Sequence, residues 1–258
     1  MVTGRGYGPF RACALTPRGA GNERPLPWRH PSGLGTEPRT SAGPREEATG
    51  ARCGHDGGVY ETEVRALRKD EHRAAAAVTS RALADSPTSV AMYGDDALEA
   101  LAGLYRELGS FFELLPQPQF AAFGGDCVVA AAGIAPPGGC IGSFMAGNVS
   151  EFLDGPLPPV GDPARAHAFW ARWAQADVEE EHWHLGPVGV EPGFQGRGIG
   201  GQMMRAVCSW LDEGGRLAWL ETDKERNVRF YGALGFEVVS VDTVLGVETW
   251  YMRRDPIR

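Results

Sequence analysis

Seven residues in the last third of the chain, Gln195-Gly196-Arg197-Gly198-Ile199-Gly200-Gly201, constrain its fold most. They follow a strand-like stretch, 182–190, and lead into an amphipathic run, 198–213. In that run Met204, Val207, Cys208 and Leu211 recur at helical spacing. Glycines let a backbone turn tightly and approach a ligand with no Cβ in the way. The helix that follows opens with unpaired N–H groups and the positive end of its dipole. A strand, a glycine-rich turn and a helix N-terminus together make an anion site, most naturally for a pyrophosphate.

The same run satisfies a dinucleotide fingerprint, with Gly196, Gly198 and Gly201 in the three glycine positions and Glu221 some 20 residues on. Two features oppose that reading. The fingerprint places its first Gly at the strand's end, whereas residues 191–195, including Pro192, intervene after Val190. It also requires further βα units downstream, and only two short strands follow Phe236.

The chain of 258 residues divides by texture near Val59. Residues 1–57 are rich in Gly, Pro and Arg, without a Lys or an extended apolar run. Such a segment buries too little surface to offset its chain entropy, so 1–57 is expected to be a disordered extension and 58–258 a folded domain. Eight Arg against five acids give the extension +3, so the rest carries −11 of the net −8. That acidity excludes general binding to nucleic acid. No stretch of about 20 apolar residues is present, so no membrane partner is expected. The first residues lack the apolar core of a secretory signal, which points to the cytoplasm. Five scattered cysteines without a CxxC indicate neither a disulfide framework nor a zinc site.

Along the domain, 60–67 reads as a first strand and 70–84 as an Ala-rich helix ended before Pro87. Asp95 or Asp96 caps a helix whose Leu98, Leu101, Leu104, Tyr105 and Leu108 share one stripe. Strands 119–123 and 127–134 form a hairpin around Gly124-Gly125-Asp126. Residues 136–163 read as loop and 164–178 as a helix. Strand 217–222, helix 225–234 and strands 236–241 and 249–253 close the chain.

Gln195-x-x-Gly198-x-Gly200 resembles the acyl-coenzyme A loop of the GNAT superfamily of N-acetyltransferases. Downstream, Asn227-Val228-Arg229-Phe230-Tyr231-Gly232-Ala233-Leu234-Gly235-Phe236 resembles that superfamily's N-x-x-F-Y-x-x-x-G-F segment. Two motifs in order are far more specific than either alone. Residues 183–254, with Gly189-Val190, Leu220-Glu221-Thr222 and Trp250-x-Met252-x-Arg254, look most like the puromycin N-acetyltransferase-like bacterial members. The resemblance implies an α/β (α+β) GNAT fold: a mixed, mostly antiparallel sheet of about seven strands flanked by helices. Strands 182–190 and 217–222 would splay apart and admit the pantetheine arm of acetyl-CoA. Backbone groups around Val188, Gly189 and Val190 would pair with its amides as with a neighbouring strand. Gln195, Gly196, Arg197, Gly198, Ile199, Gly200 and Gly201 would hold its pyrophosphate. Asn227 resembles the segment's coenzyme-contacting Asn, or else caps the helix carrying Tyr231.

Acetyl transfer from a thioester to an amine needs a neutral amine, a donor for the tetrahedral oxygen and a proton for the departing thiolate. The resemblance makes Tyr231 the acid, the alternative being simple packing beside Phe230. His184 is the candidate base. It lies 11 residues before Gln195, where family members place a Glu or His, and it has the strand parity of Val188 and Val190. His182 and Glu179, Glu180 and Glu181 are further candidates. His182-x-His184 has no third ligand placed by sequence, so no metal is expected. No Ser or Cys is framed by a His as a nucleophile would be, so both substrates are expected to bind together.

The function expected is therefore acetyl-CoA-dependent N-acetylation of a small-molecule amine, with a homodimer compatible. A protein or peptide acceptor, or a non-catalytic acyl-CoA-binding module, are the alternatives.

Overall fold

The computed structural model describes residues 62–115, 118–140, 142 and 161–257. The stretch read as a disordered extension, 1–57, lies outside those residues, as does most of the loop 136–163. The described residues form seven strands. They are β1 (Glu63–Ala66), β2 (Phe120–Gly124), β3 (Cys127–Ala135), β4 (Trp183–Val190), β5 (Ala218–Thr222), β6 (Glu237–Val244) and β7 (Val247–Arg254). Their helices are α1 (His72–Leu83), α2 (Pro87–Tyr93), α3 (Ala97–Leu114), α4 (Pro163–Ala176), α5 (Ile199–Glu213) and α6 (Glu225–Gly232).

The sheet runs β1-β2-β3-β4-β5-β7-β6, and its one parallel pair is β4 with β5. That pair is short: only Trp183 faces Ala218 and His184 faces Trp219. Beyond His184 the two strands part, and among the described residues the edge of β4 toward β5 has no strand partner there. The splay expected between these strands is therefore present.

Packing divides the helices between the faces. On one face α1 to α4 bury Ala75, Met92, Leu104, Phe112 and Phe169 against Ala121, Phe123 and Ala131. On the other, α5 and α6 bury Met203, Met204, Val207 and Tyr231 against Ala132, Ile134, Leu185 and Leu220. Local chemistry sets the helix starts. Asp96 accepts from Leu98 N and Glu99 N to begin α3, and Asp162 caps α4 with Pro163 in its first turn.

Three expectations change. Pro87 ends α1 but also starts α2, capped by Ser86, because proline's missing N–H costs nothing in a first turn. In α3 the buried stripe contains Ala100, Gly103, Leu104, Leu108, Phe111 and Phe112, whereas Leu98 and Tyr105 are exposed. The missing side chain at Gly103 lets the Tyr93 ring of α2 approach, since a Cβ there would lie 2.5 Å from it.

The third change is a register shift. Ala132 pairs with Val188 but Ile134 pairs with Leu185, so Gly186-Pro187 bulges opposite Gly133. Strand parity inverts there. Val188 and Val190 join Leu185 on the α5 face, while His184, opposite Ala135, points to the other face. His184 does not share the face of Val188 and Val190 as the sequence spacing suggests.

Candidate active site

The split between β4 and β5 opens a cavity of about 180 Å³, more than ten times the ~15 Å³ that one water needs. Val188, His184, Glu221, Asn227, Tyr231 and Thr249 lie on its wall. Residues from α2 and α3 (Met92, Leu104, Leu108 and Phe111) add an apolar side, and Glu107 and Asp223 add two carboxylates. No Lys or Arg lines it among the described residues.

The loop after β4 has the geometry of an anion cradle. Gly198 is the N-cap of α5 with φ +80°, a left-handed conformation that favours glycine. The first intrahelical bond runs from Gln202 N to Gly198 O, so the N–H groups of Ile199, Gly200 and Gly201 precede the ladder. Ile199 is buried and anchors the turn, whereas Gly196, Arg197 and Gly198 are exposed. The Gln195 side chain donates to Val190 O at 3.0 Å and pins the loop to the end of β4. Gly189 answers to packing: a Cβ there would lie 2.8 Å from Ala82 Cβ in α1.

Tyr231 is packed in the core and also reaches the cavity. Its ring packs edge-on against Phe230 and Phe236, at 5.1 and 5.7 Å between centroids. Burial, and then the nearby Asp223 charge, push its phenol far above the ordinary value, so it keeps its proton. Asn227 is not a helix cap, since the N-cap of α6 is Lys224. Its Nδ2 instead donates to Thr222 Oγ1 at 3.0 Å and ties α6 to the end of β5.

His184 is buried, with Nε2 2.8 Å from Glu221 Oε2 on the neighbouring strand. Its Nδ1 faces Asp177 Oδ1 at 3.9 Å. Burial alone would lower its pKa, but the Glu221 charge, the nearby Cys140 sulfur and the hydrogen bond to Glu221 raise it well above the ordinary histidine value. His182 lies behind it, off the cavity wall, with Nε2 2.8 Å from Asp177 Oδ1 and Nδ1 2.8 Å from Glu180 O. Burial is again outweighed, by Asp177 first, and the His182 pKa is raised. Glu179, Glu180 and Glu181 are exposed and do not line the cavity, and Glu180 pairs with Arg253.

Two partners of His184 were invisible in the sequence. Glu221 is 37 residues away and Cys140 is 44 residues away. Cys140 Sγ, an Asp177 oxygen and a His184 ring nitrogen lie within 4.8 Å of one another. A cysteine is thus framed by a histidine after all, but Cys140 is buried and is not among the residues of the cavity wall. The sequence had offered Glu221 in the Leu220-Glu221-Thr222 match and as the acid of the rejected dinucleotide fingerprint, never as a partner of His184.

A split parallel pair, a glycine-rich helix N-terminus following its first strand and a protonated phenol on the cavity wall are the frame of an acyl-coenzyme A-dependent transferase fold. The sequence pattern described as the Acetyltransferase (GNAT) family matches residues 96–236, and the chain belongs to that family. It is similar to the N-alpha-acetyltransferase RimI of Mycobacterium tuberculosis strain H37Rv, 32% identical over 72 residues. That match covers 26% of this chain and 46% of the relative, so the chain spans about half the length of the curated relative it matches. Solved structures share the fold at low identity. A Corynebacterium glutamicum protein described as histone acetyltransferase HPA2 and related acetyltransferase has a TM-score of 0.52 at 17% identity, covering 76% of this chain and 97% of that one. The Drosophila melanogaster polyamine N-acetyltransferase, an enzyme that forms N-acetylagmatine, has a TM-score of 0.52 at 16% identity. That alignment covers 75% of this chain and 98% of that one. Among the described residues no helix is long and apolar enough to cross a membrane.

Proposed function

We propose that the protein transfers an acetyl group from acetyl-CoA to the primary amine of a small cationic molecule, by direct attack while both substrates are bound. The observation that carries this reading is the cavity itself. It is lined by Glu107, Glu221 and Asp223, by no Lys or Arg among the described residues, and by the protonated phenol of Tyr231. Glu221 is balanced by His184, so the attraction for a protonated amine comes from Asp223 and, as pH rises through about 7, from Glu107. A negative cleft of this kind raises the amine's local concentration. The pantetheine arm lies along the open edge of β4 at Val188 and Val190. Its pyrophosphate meets the N–H groups from Gly196 to Gly201.

In this reading acetyl-CoA supplies the thioester, and the chain supplies orientation and proton transfer. The buried His184–Glu221 pair takes a proton from the ammonium, and Tyr231 protonates the departing thiolate. His182 and Glu179 to Glu181 lie off the cavity wall and are not needed for this step. Neither is a metal.

A peptide α-amine is the second reading, favoured by the similarity to a relative named as an N-alpha-acetyltransferase. Thiol release from acetyl-CoA, measured with butylamine, phenethylamine, spermidine, agmatine and a peptide with a free N-terminal Ala, separates the two. Turnover with the small amines, falling as salt rises, supports the proposal. Turnover with the peptide alone overturns it in favour of the second reading. Coenzyme binding without turnover makes the protein an acyl-CoA-binding module.

A further inference from the structure

Each member of the His184–Glu221 pair keeps one buried polar atom without a hydrogen-bond partner among the described residues, and both residues line the cavity. The Glu221 carboxylate spends Oε2 on His184 Nε2 at 2.8 Å. Its Oε1 is buried and has no hydrogen-bond partner among the described residues, and Glu221 lines the cavity. Thr249 Oγ1, from β7, is likewise buried and unpartnered on the same wall. A carboxylate oxygen and a hydroxyl left unsatisfied at a cavity wall are places where a donor from a ligand belongs. His184 Nδ1 is also buried without a hydrogen-bond partner among the described residues, but its nearest polar neighbours, Asp177 and Cys140, are not residues of the cavity wall. Its Nε2 is taken by Glu221.

We propose that Glu221, through Oε1, is the residue that takes the proton from the acceptor amine, and that His184 is a positioning residue that holds Glu221 by its other oxygen. This rests on the acetyltransferase reading above. Glu221 removes one proton from the ammonium, and the neutral nitrogen forms its bond to the thioester carbon. Collapse breaks the C–S bond, and the thiolate takes the Tyr231 proton. The second proton shed by nitrogen, as it becomes an amide, restores the phenol. Glu221 returns its proton to solvent, so each turnover releases one proton, one thiol and one acetamide. His184 does not change its proton count in the cycle. Its neighbours Asp177 and Cys140 complete its surroundings on the far side, and the raised His184 pKa agrees with a fixed cation beside Glu221.

The test compares E221Q, H184A and H184Q, with acetyl-CoA and phenethylamine, spermidine or agmatine as acceptor. A glutamine at 184 keeps an N–H donor near the position of Nε2 and cannot act as a base. E221Q is expected to lower kcat by ~10²–10⁴-fold with coenzyme affinity unchanged, because the general base is lost while the shape remains. H184A is expected to fall to a similar level, and H184Q to recover to within about tenfold of wild type. The reverse pattern, E221Q active and H184Q as poor as H184A, makes His184 the base and overturns the proposal. A second readout needs no turnover: ¹⁵N NMR of the His184 ring at pH 7. Both ring nitrogens protonated, and the signal reverting to a neutral ring in E221Q, supports the pair as described. A neutral His184 in the wild type overturns it. If no amine in the panel is acetylated, the functional proposal fails, and this second readout still decides the pairing.

Discussion

Gly133 and Gly186 face one another across β3 and β4 so closely that a Cβ on Gly133 would lie 2.7 Å from the Gly186 carbonyl oxygen. The same Cβ would lie 2.8 Å from Phe111 Cε1 and from Pro187 Cδ. This contact sits where the β3–β4 register slips, and it sets which face of β4 carries His184. Gly133→Ala has no flexible neighbour to displace, so it is expected to cost about 1–3 kcal/mol in urea unfolding, as overpacking does. Because Gly186 and Pro187 also line the cavity, amine turnover should fall more than coenzyme affinity. An unchanged midpoint would show that the bulge accommodates the methyl group.

Tyr231→Phe removes a hydroxyl and keeps the ring contacts to Phe230 and Phe236. The expected outcome is a fall in kcat of ~10²–10⁴-fold with coenzyme affinity within a few fold, measured by steady-state thiol release and calorimetry. A wild-type kcat would leave Tyr231 with its packing role alone.

Gly198→Val is expected to weaken coenzyme binding by at least ~10-fold, equivalent to about 1.4 kcal/mol. The reason lies in the backbone. A Cβ at Gly198 meets nothing within 4 Å, but φ is +80°, which a β-branched residue adopts only with strain. Relief of that strain turns the N–H groups of the cradle away. Calorimetric titration with coenzyme A checks this, and unchanged affinity would remove the loop from the anion site.

Glu107 makes stability depend on pH. Burial, opposed by hydrogen bonds from Tyr93 and Trp170, raises its carboxyl from an ordinary 4.5 to about 7. The folded value exceeds the unfolded one, so the folded state holds this proton more tightly. That contribution is fully present below pH 4.5 and is lost as pH rises through 7. Glu107→Gln should therefore leave the melting temperature little changed near pH 4.5 and raise it near pH 8. The gain stays below ~3 kcal/mol, since the cavity admits water. Equal effects at both pH values would contradict the assignment.

The loop and the helix after it could be read directly because their signal is local: consecutive glycines, then apolar residues at helical spacing. The Asp96 cap and the 120–135 hairpin are local in the same sense. What escaped depends on pairing between distant segments. Pro87 served two helices at once, so α2 lay hidden behind what reads as a stop. Counting by twos along β4 put His184 beside Val188, since nothing in one strand's sequence announces a bulge set by Gly133 on its neighbour. Glu221 and Cys140 reached His184 only through sheet order. Asn227 looked like a cap because caps are the local reading of an Asn at a helix start, whereas its actual partner, Thr222, ends the preceding strand.

Direct transfer with both substrates bound is tested most directly by initial rates, with acetyl-CoA varied at several fixed concentrations of an amine that turns over. Cys140 beside His184 gives the measurement its edge, since an acetylated cysteine would require a ping-pong sequence. Double-reciprocal lines that intersect, unchanged in pattern in Cys140→Ala, are the expected result. Parallel lines, or a burst of thiol before any amine is added, would contradict direct attack and move the chemistry to a covalent acetyl-enzyme.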